Sequence, residues 1–249
     1  IRPSEKKTVY VFRLPHSVNP DDVLKKDFVF RSIFGEALEF NGKRPMTLTV
    51  YHKAVFGKFA YDIVELEELM NKYKLPIVAG KNKNGEYQGY DMVTKPHLLI
   101  AGETGSGKSV MLRTILTSLI QHKRKRLQLY LADMKRSEFH LFRNVDIVQS
   151  VMTKTDDLVR CLEHLQRELF RRGDLLDEAV LSHIDDLPNP PDYILVCIDE
   201  FSVLRKSEKA LDALKDITAL GRALGIYVIL STQRPDSEIV EGLLKANLT

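Results

Sequence analysis

"PHLLIAGETGSGKSV", Pro96–Val110, is the stretch on which the fold turns. Its first half, His97–Ala101, is a short apolar run. Its second half, Gly102–Ser109, fits the pattern G-x-x-x-x-G-K-[ST]. Glycines at 102, 105 and 107 let the backbone curl until successive N–H groups point inward at phosphate oxygens. In such a loop Lys108 reaches the β- and γ-phosphates, and the Ser109 hydroxyl ligates Mg²⁺. The next residues, Val110–Gln121, are apolar at Val110, Met111, Ile115, Leu116, Leu119 and Ile120. They predict a helix packed on a sheet, with its positive N-terminus added to the anion site. A strand, then a glycine loop, then a helix is the context that makes this pattern a nucleotide site. The expectation is ATP with Mg²⁺ bound by Gly102, Glu103, Thr104, Gly105, Ser106, Gly107, Lys108, Ser109 and Val110.

Downstream, apolar strands and helices alternate. Leu127–Ala132, Tyr193–Ile198 and Ile226–Ser231 read as strands. Asp156–Val180, with Thr155 as N-cap, Ser207–Leu224, closed by Gly225, and Ser237–Lys245 read as helices. Unbroken apolar strands separated by helices predict an α/β fold with a mainly parallel sheet covered on both faces. Such sheets bind ligands at the carboxyl ends of their strands. "YILVCIDE" delivers Asp199 there as a second metal ligand, and Glu200 beside it as the group that orients and deprotonates the attacking water. "YVILSTQRP" delivers Gln233, a neutral amide able to sense a γ-phosphate. "LADMK" places Asp133 and Lys135 at a third strand tip, where an ion pair between them and a role in the site are both open. Arg222 reads, on the residues alone, as a surface arginine favouring a helix C-terminus. "HKRKR", His122–Arg126, reads as a solvated turn in preference to a phosphate contact.

Upstream the texture differs. Val9–Leu14 alternates like a strand. "NPDDVLKKDFVFRSIFG" has Asn19 as N-cap, Pro20 at the first helical position and Gly35 as terminator, with Val23, Leu24, Phe28 and Ile33 as the apolar face. Ala37–Phe40 and Thr47–Tyr51 read as a hairpin turning at Asn41-Gly42. A helix over Asp62–Lys74 follows, and a second hairpin, Leu75–Gly80 with Tyr87–Met92, turns at Asn84-Gly85. The predicted organisation is a small α+β domain, residues 1–74, before an α/β domain, residues 75–249.

The bulk composition excludes other classes. With 44% hydrophobic and 29% charged residues in 249, the chain is neither disordered nor fibrous. A net charge of +3 permits a nucleic-acid partner without arguing for one. Cys161 and Cys197 form no zinc pattern and no disulfide framework, which fits a reducing compartment. The chain opens on Ile1 and stops at Thr249 in mid-pattern, so it reads as a piece of a longer protein.

"PHLLIAGETGSGKSV", "LADMK", "ILVCIDEF" and "GRALGIYVILSTQRP…EGLLKANLT" occur in that order and together resemble the FtsK/SpoIIIE DNA translocases. The resemblance covers Leu75–Thr249 and implies a RecA-like P-loop NTPase fold, ATP hydrolysis and double-stranded DNA as partner. It also implies hexamer formation and anchoring of the full-length protein to a bacterial membrane, with membrane or secretion-channel partners engaged through segments outside this chain. Lys108 and Ser109 match the Walker A pair, Asp199 and Glu200 the Walker B pair, Gln233 the sensor amide, and Arg222 an arginine given across a subunit interface. The chain is also similar to the coupling ATPases of integrative and conjugative elements. Protein export of the type VII secretion kind is the competing function.

Overall fold

The computed structural model describes residues 1–5, 7–52, 60–82, 85–122 and 126–233. It divides into two compact units, one of residues 1–65 with 80–88 and the other of residues 66–79 with 89–249. The division passes through α3 (Ile63–Lys72) and through the two-stranded sheet of β5 (Pro76–Lys81) and β6 (Tyr87–Asp91).

The first unit is a four-stranded antiparallel sheet in the order β1-β2-β4-β3, from β1 (Arg2–Pro3), β2 (Lys7–Phe12), β3 (Leu38–Asn41) and β4 (Met46–Tyr51). Period-2 alternation puts Met46, Leu48 and Val50 on its buried face. The one helix expected before Gly35 is two: α1 (Pro20–Leu24), whose Asn19 Oδ1 accepts from the Asp21 N–H, and α2 (Asp27–Phe34). They part at Lys25-Lys26. The apolar face also differs: Phe28 and Ile33 are exposed, while Phe30 meets Phe40 edge-on at 5.0 Å and Phe34 lies 5.5 Å from Tyr10. Restarting the helix at Asp27 rotates Phe30 and Phe34 onto the sheet. The β3–β4 connection spans four residues, Gly42–Pro45, because Asn41 still pairs with Thr47. Of the other expected turn, Asn84 lies outside the described residues.

The second unit is built on a five-stranded, wholly parallel sheet in the order β7-β11-β10-β8-β9. Its strands are β7 (Leu98–Ala101), β8 (Leu127–Asp133), β9 (Val148–Met152), β10 (Tyr193–Asp199) and β11 (Ile226–Thr232). All seven residues of β10 and of β11 are buried. Each fully buried aliphatic side chain there contributes roughly 1.5–3 kcal/mol, which is why these strands read as unbroken apolar runs. The sequence reading missed β9, whose Gln149 and Ser150 interrupt the apolar pattern of an edge strand among the described residues.

Helices α4 (Lys108–His122), α5 (Thr155–Ala179) and α6 (Glu208–Leu224) supply the covering layers. In α4 the buried face runs Leu112, Ile115, Leu116, Leu119 and Ile120, and Val110, expected on that face, is exposed. α5 begins one residue early, with Lys154 as its N-cap and no side-chain cap. α6 starts as expected on Ser207, whose Oγ accepts from the Ala210 N–H, and ends on left-handed Gly225. The C-terminal carbonyls of α6 are met by a buried cation: Arg172 of α5 donates to the carbonyls of Leu224 (2.9 Å) and Asp192 (2.8 Å) while paired with Glu168. Gly221 is fixed by close approach, since a Cβ there would stand 2.0 Å from the Ile226 carbonyl oxygen. The expected helix over Ser237–Lys245 and Lys123–Lys125 of the basic run lie outside the described residues.

His97 joins β7 to β11 from inside the core. It is fully buried with φ 64°, and its Nδ1 accepts from the Val228 N–H at 3.2 Å. Burial lowers its pKa to about 4, only partly offset by the backbone of Thr218. The folded pKa lies below the ordinary 6.5, so the unfolded chain takes up a proton first. Stability is therefore intact above pH 6.5 and falls as the pH drops from 6.5 toward 4. His97→Asn keeps an acceptor for Val228 and tolerates positive φ. It is expected to flatten this pH dependence in urea unfolding between pH 7 and 4.5, and an unchanged slope counts against the assignment.

Candidate active site

The sheet register sets the site. Asp199 at the tip of β10 pairs with Asp133 of β8 on one side and Ser231 of β11 on the other, and Thr232 pairs with Ala101 of β7. Four strands thus end in one row, and the loop Gly102–Gly107 leaves from that row. Gly105 (φ 85°) and Gly107 (φ 93°) hold backbone conformations that side chains disfavour, which forms the curl. The Gly102 N–H donates to the Thr232 carbonyl at 3.2 Å, fastening the loop's start to β11.

Lys108 turns back over the strand tips. Its Nζ donates to Asp199 Oδ1 at 2.7 Å and to Ser231 Oγ at 2.8 Å, and Ser231 Oγ donates to the same carboxyl oxygen at 3.0 Å. The Lys108 and Asp199 side chains are only 8% and 3% exposed, so the ion pair is shielded from water. Ser109 Oγ donates to Glu138 Oε1 at 2.8 Å.

Glu200, left-handed at φ 65°, bends away from the strand. Its Oε1 accepts from Ser202 Oγ (2.7 Å) and Thr232 Oγ1 (3.0 Å), and its Oε2 from Lys135 Nζ (3.1 Å). Burial alone would raise its pKa, but the bonds from Ser202, Lys135 and Thr232 outweigh that and hold the carboxyl below its ordinary value. Of the two readings open for "LADMK", the ion pair between Asp133 and Lys135 does not form. Asp133 is fully buried and accepts three backbone N–H groups, from Ser137, Glu138 and Phe139, at 2.9–3.0 Å. Lys135 goes to Glu200.

The structure therefore brings Lys108, Ser109, Asp199 and Glu200 to one edge, with half-buried Gln233 following β11 directly. It does not bring Arg222 there. Arg222 is exposed at the far end of α6, where the chain turns into the start of β11. Seven-residue β11 separates the two edges by roughly 20 Å, beyond the reach of any arginine. Ser231 and Glu138 were not singled out from sequence. Ser231 had a signal, being the first polar residue after the apolar run Ile226–Leu230; Glu138 lies five residues past a strand end and had none.

The donor set is one hydroxyl and several carboxylates, hard oxygen ligands of the kind Mg²⁺ takes. Among the described residues no cluster of three or more His, Cys, Asp or Glu is arranged to hold a metal alone.

The FtsK/SpoIIIE family model matches residues 67–189. The chain carries an FtsK/SpoIIIE-family domain. The DNA translocase FtsK of Treponema pallidum is 34% identical over 192 residues, 72% of this chain and 24% of that protein. Its counterpart in Lactiplantibacillus plantarum is 30% identical over 225 residues, 83% of this chain and 28% of that one. The chain thus spans about a quarter of the length of these curated relatives. Among solved structures, the conjugation coupling protein TcpA of pCW3, in its monomer form with ATPgS, is similar at TM-score 0.68 and 23% identity, covering 98% of this chain and 72% of that one. The cytoplasmic domain of the Thermomonospora curvata type VII secretion ATPase EccC is similar at TM-score 0.63 and 25% identity, covering 76% and 25%. The five-stranded parallel sheet is the RecA-like P-loop ATPase fold of this family. The match to the family model stops at residue 189, before β10, so Asp199 and Glu200 rest on the geometry above.

The Lys108–Asp199 pair yields a stability prediction. Asp199→Ala leaves a buried ammonium with only a hydroxyl partner and is expected to cost about 3 kcal/mol or more in urea denaturation. Replacing both partners, Lys108→Met with Asp199→Leu, is expected to recover most of that loss. Equal stability of Asp199→Ala and the parent chain would contradict a shielded pair.

Proposed function

We propose that this chain is the motor part of an ATP-driven double-stranded DNA pump that serves conjugative transfer or chromosome segregation. The observation that carries the reading is the meeting of Lys108, Ser109, Asp199 and Glu200 at one sheet edge, in a chain whose residues 67–189 match the FtsK/SpoIIIE family model. On this reading residues 75–249 form the motor and residues 1–74 a separate α+β domain.

The backbone N–H groups of Gly102–Ser109 cradle the phosphates, with Glu103, Thr104, Ser106 and Val110 completing the cradle and the start of its helix. Lys108 exchanges Asp199 and Ser231 for the β- and γ-phosphates. Ser109 and the freed Asp199 would hold Mg²⁺, which would neutralise charge developing on the phosphates. Glu200 orients the attacking water and takes its proton. Gln233, next after Thr232, senses the γ-phosphate. Because Arg222 cannot reach its own chain's site, a neighbouring copy supplies it in trans to stabilise charge on the transferring phosphoryl group, which calls for a ring, a hexamer in the full-length protein. Membrane anchoring and secretion-channel contacts belong to segments outside this chain. No helix among the described residues is long and apolar enough to cross a membrane.

The likeness to EccC favours one second reading, a protein-export ATPase. Steady-state ATP hydrolysis with and without linear double-stranded DNA separates the two. We expect several-fold stimulation by DNA, lost in Lys108→Ala. Turnover indifferent to DNA would move the assignment to export. Glu200→Gln is expected to lower turnover at least a hundredfold while leaving ATP binding intact, since the amide cannot accept the proton; unchanged turnover would remove Glu200 from the base role.

A further inference from the structure

One loop reaches both halves of the nucleotide site. Residues 134–138 leave the tip of β8 and are fastened back to it by the buried Asp133 carboxylate, through three backbone N–H groups. From this fixed loop Lys135 meets Glu200 and Glu138 meets Ser109. Glu138 is itself held from two sides. Ser137 Oγ donates to its Oε1 at 3.3 Å, and Arg113, one turn along α4 from Ser109, lies 3.0 Å from its Oε2. Arg113 is anchored in turn on the Ser137 carbonyl at 3.0 Å. The Glu138 side chain is only 12% exposed.

We propose that Glu138 is a positioning residue for the cation of this site: it accepts the hydrogen bond of the Ser109 hydroxyl so that the oxygen lone pairs face the ion, and its charge holds the ion's water shell. The inference rests on the nucleotide-site reading above. A serine can ligate a cation only with a lone pair, so its proton needs an acceptor on another side, and Glu138 Oε1 is that acceptor at 2.8 Å. An ion held at the roughly 2.1 Å that Mg²⁺ demands from the Ser109 oxygen stands no more than about 5 Å from Oε1, within the reach of one bridging water. Carboxylates placed this way orient ligands and tune the ion without touching it.

The test is the affinity of the full 249-residue chain for N-methylanthraniloyl-ATP, measured in excess Mg²⁺ and in EDTA. The parent chain is expected to bind more tightly with Mg²⁺. Glu138→Gln can still accept from Ser109 but carries no charge, and is expected to bind about tenfold more weakly in Mg²⁺ and equally in EDTA. Glu138→Asp, which keeps the charge, is expected to retain most of the Mg²⁺ effect. Parent-like Mg²⁺-dependent binding by Glu138→Gln overturns the proposal, as does a loss of equal size in both conditions, which marks a purely structural role. Lys108→Ala separates this from the underlying reading: parent-like binding by that variant means the nucleotide site itself is misassigned, whatever Glu138 does.

Discussion

The site depends on a single buried ion pair, Lys108 with Asp199, closed by the hydroxyl of Ser231. A lysine in a glycine loop has no reason to be ordered by the loop alone. Here it is tied to the tips of β10 and β11, so the loop's geometry is inherited from the sheet. The pair also sets the terms of ligand binding. Phosphates must replace a carboxylate that is already close to the ammonium and shielded from water, and they do so with more negative charge and with the loop's N–H groups in addition. On the proposed reading the carboxylate released in the exchange becomes available to a cation, so that binding nucleotide and assembling the metal ligands would be one event.

The sheet order gives the other constraint. β11 lies between β7 and β10, so the residues at its tip stand between the phosphate loop and Asp199. Ser231 faces Lys108, Thr232 bonds Glu200, and Gln233 follows at once. A displacement of β11 would thus be felt by Lys108, the proposed base and the proposed sensor amide together. The opposite end of the same strand adjoins Arg222, and Arg172 locks that end by capping α6. On the proposed reading, a strand with the site at its tip and Arg222 beside its foot would let each subunit of a ring use the foot of the next.

The sheet was legible in the sequence because its central strands are buried on both faces and so carry unbroken apolar runs; Tyr193–Asp199 and Ile226–Thr232 lie within a residue of their expected bounds. β9 was not legible, since an edge strand with polar Gln149 and Ser150 looks like a loop. In the first unit, helical spacing misidentified the packed face, because the pattern Val23, Leu24, Phe28, Ile33 continues through Lys25-Lys26, where the helix breaks. At the candidate site, the placement of Lys108, Ser109, Asp199 and Glu200 at one sheet edge was readable from spacing. Residues defined by a fold-dependent encounter, such as Lys135 with Glu200 or Glu138 with Ser109, were not, because no spacing encodes two loops meeting.

On the proposed reading Lys108 changes partners when nucleotide arrives. A crystal structure of this chain with Mg²⁺ and ATPγS would show the exchange. Lys108 Nζ is expected within hydrogen-bonding distance of the β- and γ-phosphate oxygens and parted from Asp199, with the cation on Ser109. Nucleotide bound elsewhere, or bound here with the Lys108–Asp199 contact unbroken, would contradict it.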